Sequence, residues 1–241
     1  MAHDAQQPRP SSTVVLVRPT DDLPEVFMVK RHARAAFGSR FAFPGGVLET
    51  CDAEVAGYCR GVTADQANAL LGLEQGGLDY YSAAIRELFE ESGVLLAEHQ
   101  LSAGALRAAR DGLNAGTLDW YEFVAGNELQ LCCDRLHYFS FWITPAGEPR
   151  RYSTRFFLAT VPKAQAARHD GGELTESCWL SARDVLVARQ QKIMKVPSPT
   201  RKTLKRVAEF TDTGSLLDWA RACGEQGVVC DQPAFRPEEV V

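Results

Sequence analysis

Four side chains in one short run have the types and spacing to do chemistry: Arg86, Glu87, Glu90 and Glu91, within Arg86-Glu-Leu-Phe-Glu-Glu-Ser-Gly-Val94. Tyr81, Ala84, Ile85 and Leu88 recur at i, i+3, i+4 and i+7, which predicts one buried face of a helix. At about 100° per residue the three glutamates fall together on a different face, roughly a third of a turn away. Carboxylates crowded in this way repel one another unless a cation sits among them. Mg²⁺ and similar hard divalent ions take oxygen donors of this kind. Taken alone, the pattern describes a solvated acidic helix face more often than a metal site, so its surroundings decide.

Upstream, Phe41-Ala-Phe-Pro-Gly-Gly46 predicts a tight turn where backbone approaches a ligand closely. Ahead of it, Lys30, Arg31, His32, Arg34 and Arg40 lie in a stretch without an acidic residue, which suits either a solvated loop or a phosphate-facing patch. A second basic cluster, Arg150, Arg151 and Arg155, leads into an apolar run. Asp170, Glu173 and Glu176 form an acidic segment before Trp179.

These groups need elements to hold them. β-Branched or aromatic runs predict strands at 13–17, 26–30, 136–144, 156–161 and 178–180, the first two as a hairpin-like pair. Residues 53–78 look helical, with Thr63 and Gln66 placed as a capping box. The glutamate helix is expected to begin near 78–81 and to stop at Gly93. Residues 99–135 again have helical spacing, and the vicinal Cys132-Cys133 reads as buried packing. Three closing helices are expected, opened by Ser181, by Ser198-Pro199 and by Ser215 with Asp218. The organisation is one domain over 13–222 with helical insertions near 53–78 and 99–135, a polar tail over 1–12 and an irregular tail over 223–241.

At 241 residues, 45% apolar and 24% charged, the composition is that of a globular protein. A net charge of −5 and a pI near 5.6 speak against a general nucleic-acid binder. Seven cysteines without a C-x-x-C pair fit neither a zinc site nor a disulfide framework. No apolar run approaches the ~20 residues of a membrane span, so neither nucleic acid nor membrane is an expected partner. Residues 1–12 lack a signal-peptide core, and the terminal Glu-Glu-Val-Val differs from a Ser-Lys-Leu address. The expected compartment is cytoplasmic.

The glycine turn and the acidic run together resemble the Nudix box, G-x5-E-x7-R-E-U-x-E-E-x-G-U with U apolar. Residues 86–94 match its second half at every fixed position, and Gly46 matches its first glycine. Asp52 stands where the family has glutamate, and being one methylene shorter it reaches less far. Arg86 follows after an insertion of about 26 residues. A box interrupted in this way is similar to the coenzyme A diphosphatase branch of the Nudix hydrolases (nucleoside diphosphate-linked moiety X motif 19 type). So are Phe43-Pro-Gly-Gly46, Trp142-Ile-Thr-Pro145, Arg151-Tyr-Ser-Thr-Arg-Phe-Phe-Leu-Ala159, Glu176-Ser-Cys-Trp179 and Pro197-Ser-Pro-Thr200.

The resemblance implies an α/β fold, a Nudix-type α/β/α sandwich with a mixed central sheet plus helical insertions. It implies Mg²⁺ or Mn²⁺ on Glu87, Glu90 and Glu91, with the Gly45 carbonyl as a further ligand. Arg86 would position a neighbouring glutamate by ion pairing. Glu90, Glu91 and Arg86 are the expected catalytic residues. Arg31, Arg34, Arg151 and Arg155 are candidates to hold phosphates, with Gly46 in the binding turn. The general base is left open among Glu91, Glu173 and Glu176. The implied substrate is a small-molecule diphosphate, coenzyme A or acyl-coenzyme A first, cut to 3',5'-ADP and 4'-phosphopantetheine or its acyl form. Dinucleotides, nucleotide sugars and a non-catalytic nucleotide-binding role are the alternatives. The inserted helices could shape the pocket, cover it or form a homodimer interface.

Overall fold

Val14, Val15, Leu16 and Val17 are all fully buried, on both faces of the strand that carries them. A strand buried on both faces reads as a continuous apolar run and belongs in the middle of a sheet. The computed structural model describes residues 7–31, 40–169 and 174–231 and places that run in β1 (Arg9–Arg18). β1 pairs antiparallel with β2 (Glu25–Arg31) and with β4 (Gly45–Val47), and parallel with β9 (Tyr152–Thr160). β3 (Phe41–Ala42) and β10 (Leu174–Ser181) flank β2, while β8 (His137–Ile143) and β11 (Cys230–Asp231) extend the sheet beyond β9. The result is a mixed eight-stranded sheet in the order β10-β2-β1-β9-β8-β11.

Helices cover both faces. On one lies α3 (Gly77–Ser92), whose Tyr81, Ala84, Ile85 and Leu88 pack with Val14, Leu16 and Phe157. On the other lie α6 (Ala182–Gln190), α7 (Ser198–Val207) and α8 (Thr213–Gln226), packed with Val15, Val17, Phe156 and Leu158. Each such fully buried aliphatic or aromatic side chain contributes roughly 1.5–3 kcal/mol. The expected α/β/α sandwich is what forms.

α3 stops where the spacing predicted. Gly93 takes a left-handed conformation, φ 76°, and its N–H closes on the Phe89 carbonyl at 2.8 Å. The first insertion contributes α1 (Thr50–Glu54), β5 (Cys59–Arg60) and α2 (Ala64–Leu71). Thr63 and Gln66 form the expected reciprocal cap, at 3.2 and 2.9 Å. After β6 (Ala97–Glu98), the second insertion contributes α4 (Ala103–Asn114), α5 (Trp120–Gly126) and β7 (Gln130–Cys132). β5, β7 and β6 pair as a separate three-stranded sheet, joining the two insertions to the segment that follows α3. Cys132 and Cys133 are buried, as expected.

Several boundaries differ, for physical reasons. β1 begins at Arg9 rather than at residue 13, and β9 at Tyr152 rather than 156, because the two polar ends pair with each other, Arg9 with Tyr152 through Ser12 with Arg155. Polar residues enter a strand when a partner strand supplies the ladder. At the other end, α8 continues to Gln226 and β11 pairs with Phe141 and Trp142, so the expected C-terminal tail is partly ordered. Asp212 caps α8 by accepting the Ser215 N–H at 2.8 Å, and Pro197 precedes α7 as its cap. Among the described residues no helix is long and apolar enough to cross a membrane.

Candidate functional site

The site is built where α1, the turn before it and α3 meet. Asp52 is fully buried, and Arg86 is 3% exposed. The Arg86 guanidinium grips Asp52 with two bonds, Nε to Oδ1 at 3.1 Å and a terminal nitrogen to Oδ2 at 3.0 Å. That second nitrogen also bonds the Val47 carbonyl at 2.9 Å, which ties the glycine turn to the helix. The remaining terminal nitrogen holds Glu87 at 3.0 Å and Glu90 at 3.5 Å. The shorter aspartate therefore does reach its arginine despite the 34-residue separation. It can because α1 places it at the third helical position, where the Glu49 N–H also fixes Oδ2 at 2.8 Å.

The two glycines each abut one glutamate. Gly45 has φ +153°, and a Cβ there would lie 2.3 Å from the Ser12 carbonyl oxygen, so only glycine fits. Its N–H donates to Glu91 at 3.0 Å. A Cβ on Gly46 would lie 2.2 Å from a Glu87 carboxylate oxygen. The missing side chain of Gly46 leaves the space that the Glu87 carboxylate occupies.

Electrostatically the cluster holds more negative charge than Arg86 alone neutralises. Burial, reinforced by Glu87, Glu49 and Asp52 and opposed by Arg86, pushes the Glu90 carboxyl up to about 7. Burial works against the Arg86 charge, but Glu87, Asp52 and Glu90 outweigh it and keep the guanidinium protonated. Cys51, which lines the adjoining cavity, is pushed up to about 12 by burial and Asp52, so it is no thiolate nucleophile.

The donor chemistry fits a hard divalent cation. The ligands on offer are carboxylate oxygens, they outnumber the local cations, and Gly46 leaves room beside one of them. In their present positions the side chains turn to Arg86 and Gly45, and among the described residues no three His, Cys, Asp or Glu side chains form a ready cage. Glu87, Glu90 and Glu91 are the residues that would hold the ion.

Other expected site residues fare differently. Arg155 is 5% exposed, 3.6 Å over the Phe141 ring and 5.0 Å from Tyr80, and it donates to Ser153 and to the Leu71 carbonyl. Arg151 is buried too, with Nε on the Thr144 carbonyl at 3.1 Å. Both are anchored in or beside β9 instead of standing in an open loop. Glu176 stands in a strand instead of the expected loop. It lies on edge strand β10, bonded to Lys30 at 2.9 Å, and its neighbour two residues on, Cys178, packs into the core opposite α3. Arg34 and Glu173 lie outside the described residues, as does the side chain of Arg31.

Two residues that the sequence did not single out belong here. Ser82 Oγ donates to Asp52 at 3.0 Å, and the Trp120 indole N–H donates to Ser82 at 3.0 Å. Ser82 sits four residues before Arg86, on the same side of α3, and that spacing was a usable signal. Trp120, 38 residues further on, left none. α4 and α5 also wall a cavity of ≈ 350 Å³ over Arg86 and Glu90, with Glu49, Leu118, Asp119 and Glu122 around it. The second insertion thus shapes a pocket at the site.

The comparison with known proteins bears on this geometry directly. The model of the NUDT19 Nudix domain matches residues 75–207, more than half of the chain. The chain belongs to that family. The matched span starts just before α3, so the structure, through Arg86 and Asp52, joins the earlier half of the Nudix box to it. A Caenorhabditis elegans relative named for the family, nudix hydrolase 7, is 29% identical over 86% of this chain and 63% of its own length. The human acyl-coenzyme A diphosphatase NUDT19 is 30% identical over 58% of this chain and 41% of its own. The chain thus spans less than two thirds of the curated relatives it matches. A crystal structure of a Nudix hydrolase from Alicyclobacillus acidocaldarius superposes with a TM-score of 0.75 at 25% identity, covering 88% of this chain and 96% of that one. The Nudix fold is shared over nearly the whole chain.

Proposed function

We propose that this Nudix domain hydrolyses the diphosphate bridge of a nucleoside diphosphate linked to another moiety, with coenzyme A or acyl-coenzyme A as the favoured substrate. The products are then 3',5'-ADP and 4'-phosphopantetheine or its acyl form. One observation carries the reading: the complete set of box glutamates is gathered against Gly45-Gly46 and a buried Arg86–Asp52 pair. The relatives named acyl-coenzyme A diphosphatase NUDT19, from Homo sapiens and Xenopus laevis, support the substrate class.

The chain's own residues account for the chemistry in this way. Water attacks one phosphorus, the bridging P–O bond breaks, and the bridge oxygen leaves with the other phosphate. Mg²⁺ or Mn²⁺, when bound by Glu87, Glu90 and Glu91, neutralises charge on the diphosphate and acidifies the attacking water. Arg86 keeps Glu87 and Glu90 in place. Glu91, 7% exposed and oriented by the Gly45 N–H, is the base candidate that remains at the site among the described residues. Phosphates not undergoing attack fall to Arg31 and Arg34 in the basic segment before the turn.

A product-resolved assay of coenzyme A, acyl-coenzyme A, dinucleotides and nucleotide sugars with Mg²⁺ and with Mn²⁺ tests the reading. Release of 3',5'-ADP supports it. Cleavage of dinucleotides alone overturns the substrate, and saturable binding without product at high enzyme concentration overturns catalysis. Within the same assay, Gly46→Ala is expected to lower kcat about 10- to 100-fold with an unchanged circular dichroism spectrum, because the new methyl displaces the Glu87 carboxylate.

A further inference from the structure

Asp52 stands where the general Nudix box has glutamate, and the structure gives it surroundings of an unusual kind. All four acceptor sites of its carboxylate are filled. Oδ1 takes the Ser82 hydroxyl at 3.0 Å and Arg86 Nε at 3.1 Å, while Oδ2 takes Arg86 at 3.0 Å and the Glu49 N–H at 2.8 Å. An indole N–H only donates and a carboxylate only accepts, so the proton directions are fixed: Trp120 gives to Ser82, and Ser82 gives to Asp52. Asp52 and Ser82 are 0% exposed and Trp120 1%. No solvent competes for these bonds.

We propose that Ser82 and Trp120 are positioning residues for the box glutamates, and that their relay is what makes aspartate the fitting residue at position 52. The proposal rests on the hydrolase reading above for its effect on turnover, but not for its structural content. Glutamate would carry the carboxylate about 1.5 Å further, the length of one C–C bond, into space already held by Ser82 and Arg86. The shorter acid leaves room for a hydroxyl, and the hydroxyl gives the second insertion a hold on Arg86.

The hold is stiff at both ends. Asp119 caps α5 by accepting the N–H groups of Tyr121 and Glu122 at 2.7 and 3.3 Å, which fixes Trp120 at the first helical position. Phe123, one turn on, stacks on Phe89 of α3 with centroids 5.5 Å apart. From Arg86 the relay continues to Glu87 and Glu90. An insertion remote in sequence therefore sets where two metal-binding carboxylates stand.

Five variants test this: Trp120→Phe, which keeps a ring and removes the donor; Ser82→Ala; these two combined; Asp52→Glu; and Asp52→Glu with Ser82→Ala. The single Trp120 and Ser82 changes are expected to lower kcat and Mn²⁺ affinity about 10- to 100-fold with little change in KM. Their combination should be no worse than the stronger single change, because one chain is being cut twice. Asp52→Glu, although it restores the residue of the general Nudix box, should be impaired, and Ser82→Ala should raise its activity. In ¹H–¹⁵N spectra the Trp120 indole signal, assigned from its loss in Trp120→Phe, should move in Ser82→Ala. Full activity in Asp52→Glu, or additive losses in the double Trp120 and Ser82 variant, overturns the proposal. If the wild type cleaves nothing in the substrate panel, the hydrolase reading fails separately. Mn²⁺ affinity and the indole signal then decide the relay, and no change in either overturns it.

Discussion

Glu91→Gln is expected to reduce turnover by about 10²- to 10⁴-fold, the range that general-base contributions span, while leaving the fold intact. The fold should survive because glutamine keeps the carbonyl that accepts the Gly45 N–H at 3.0 Å and nearly the same volume at a site 7% exposed. What it loses is the negative charge, and with it both a ligand for a divalent ion and a proton acceptor. The comparison that matters is kcat against melting temperature in one preparation. A folded Glu91→Gln variant with undiminished turnover would sink the role of Glu91 as ligand and proton acceptor.

The largest stability effect is expected from Arg86→Met. It leaves the Asp52 carboxylate, fully buried, with Ser82 and Glu49 as donors but no positive charge beside it. Breaking a buried pair from one side costs about 3–5 kcal/mol. At about 2–4 °C per kcal/mol for a chain of this length, the melting temperature should fall by roughly 6–20 °C. Arg18→Met gives the control. Arg18 meets Glu25 at the surface, with 42% and 25% of the side chains exposed, and losing such a pair costs ~1 kcal/mol or less. Equal melting temperatures for the two variants would show that burial does not set the strength of the Arg86–Asp52 pair.

The parts of this molecule that were visible in its sequence are those with a long period or a fixed local chemistry. The apolar face of α3 spans two turns, and Gly93 ends the helix by a backbone conformation glycine adopts readily. The Thr63 cap needs only residues three apart. By contrast, β5, β6 and β7 are two or three residues long, too short for any alternation to show. Arg155 falls before its strand in the sequence reading because a basic run reads as a loop until a parallel partner, here Ser12, draws it into the strand. The reach of Asp52 depended on α1, whose position is set by packing on α3 and α5. The spacing of Ser82 from Arg86 was legible, but its bonds to Asp52 and Trp120 depend on what faces it in the fold.

The small β5-β7-β6 sheet has a consequence for anyone reshaping this protein. Its strands come from before α3, directly after α3 and beyond α5, so neither insertion is an appendage that can be trimmed alone. Excising the segment that interrupts the box would recreate an unbroken signature on paper. It would also strip the Leu131 and Cys132 backbone of the Cys59 and Arg60 strand on one side. An exposed strand edge is an invitation to aggregate. The two additions are one module in space, and a graft or a deletion has to treat them as inherited together.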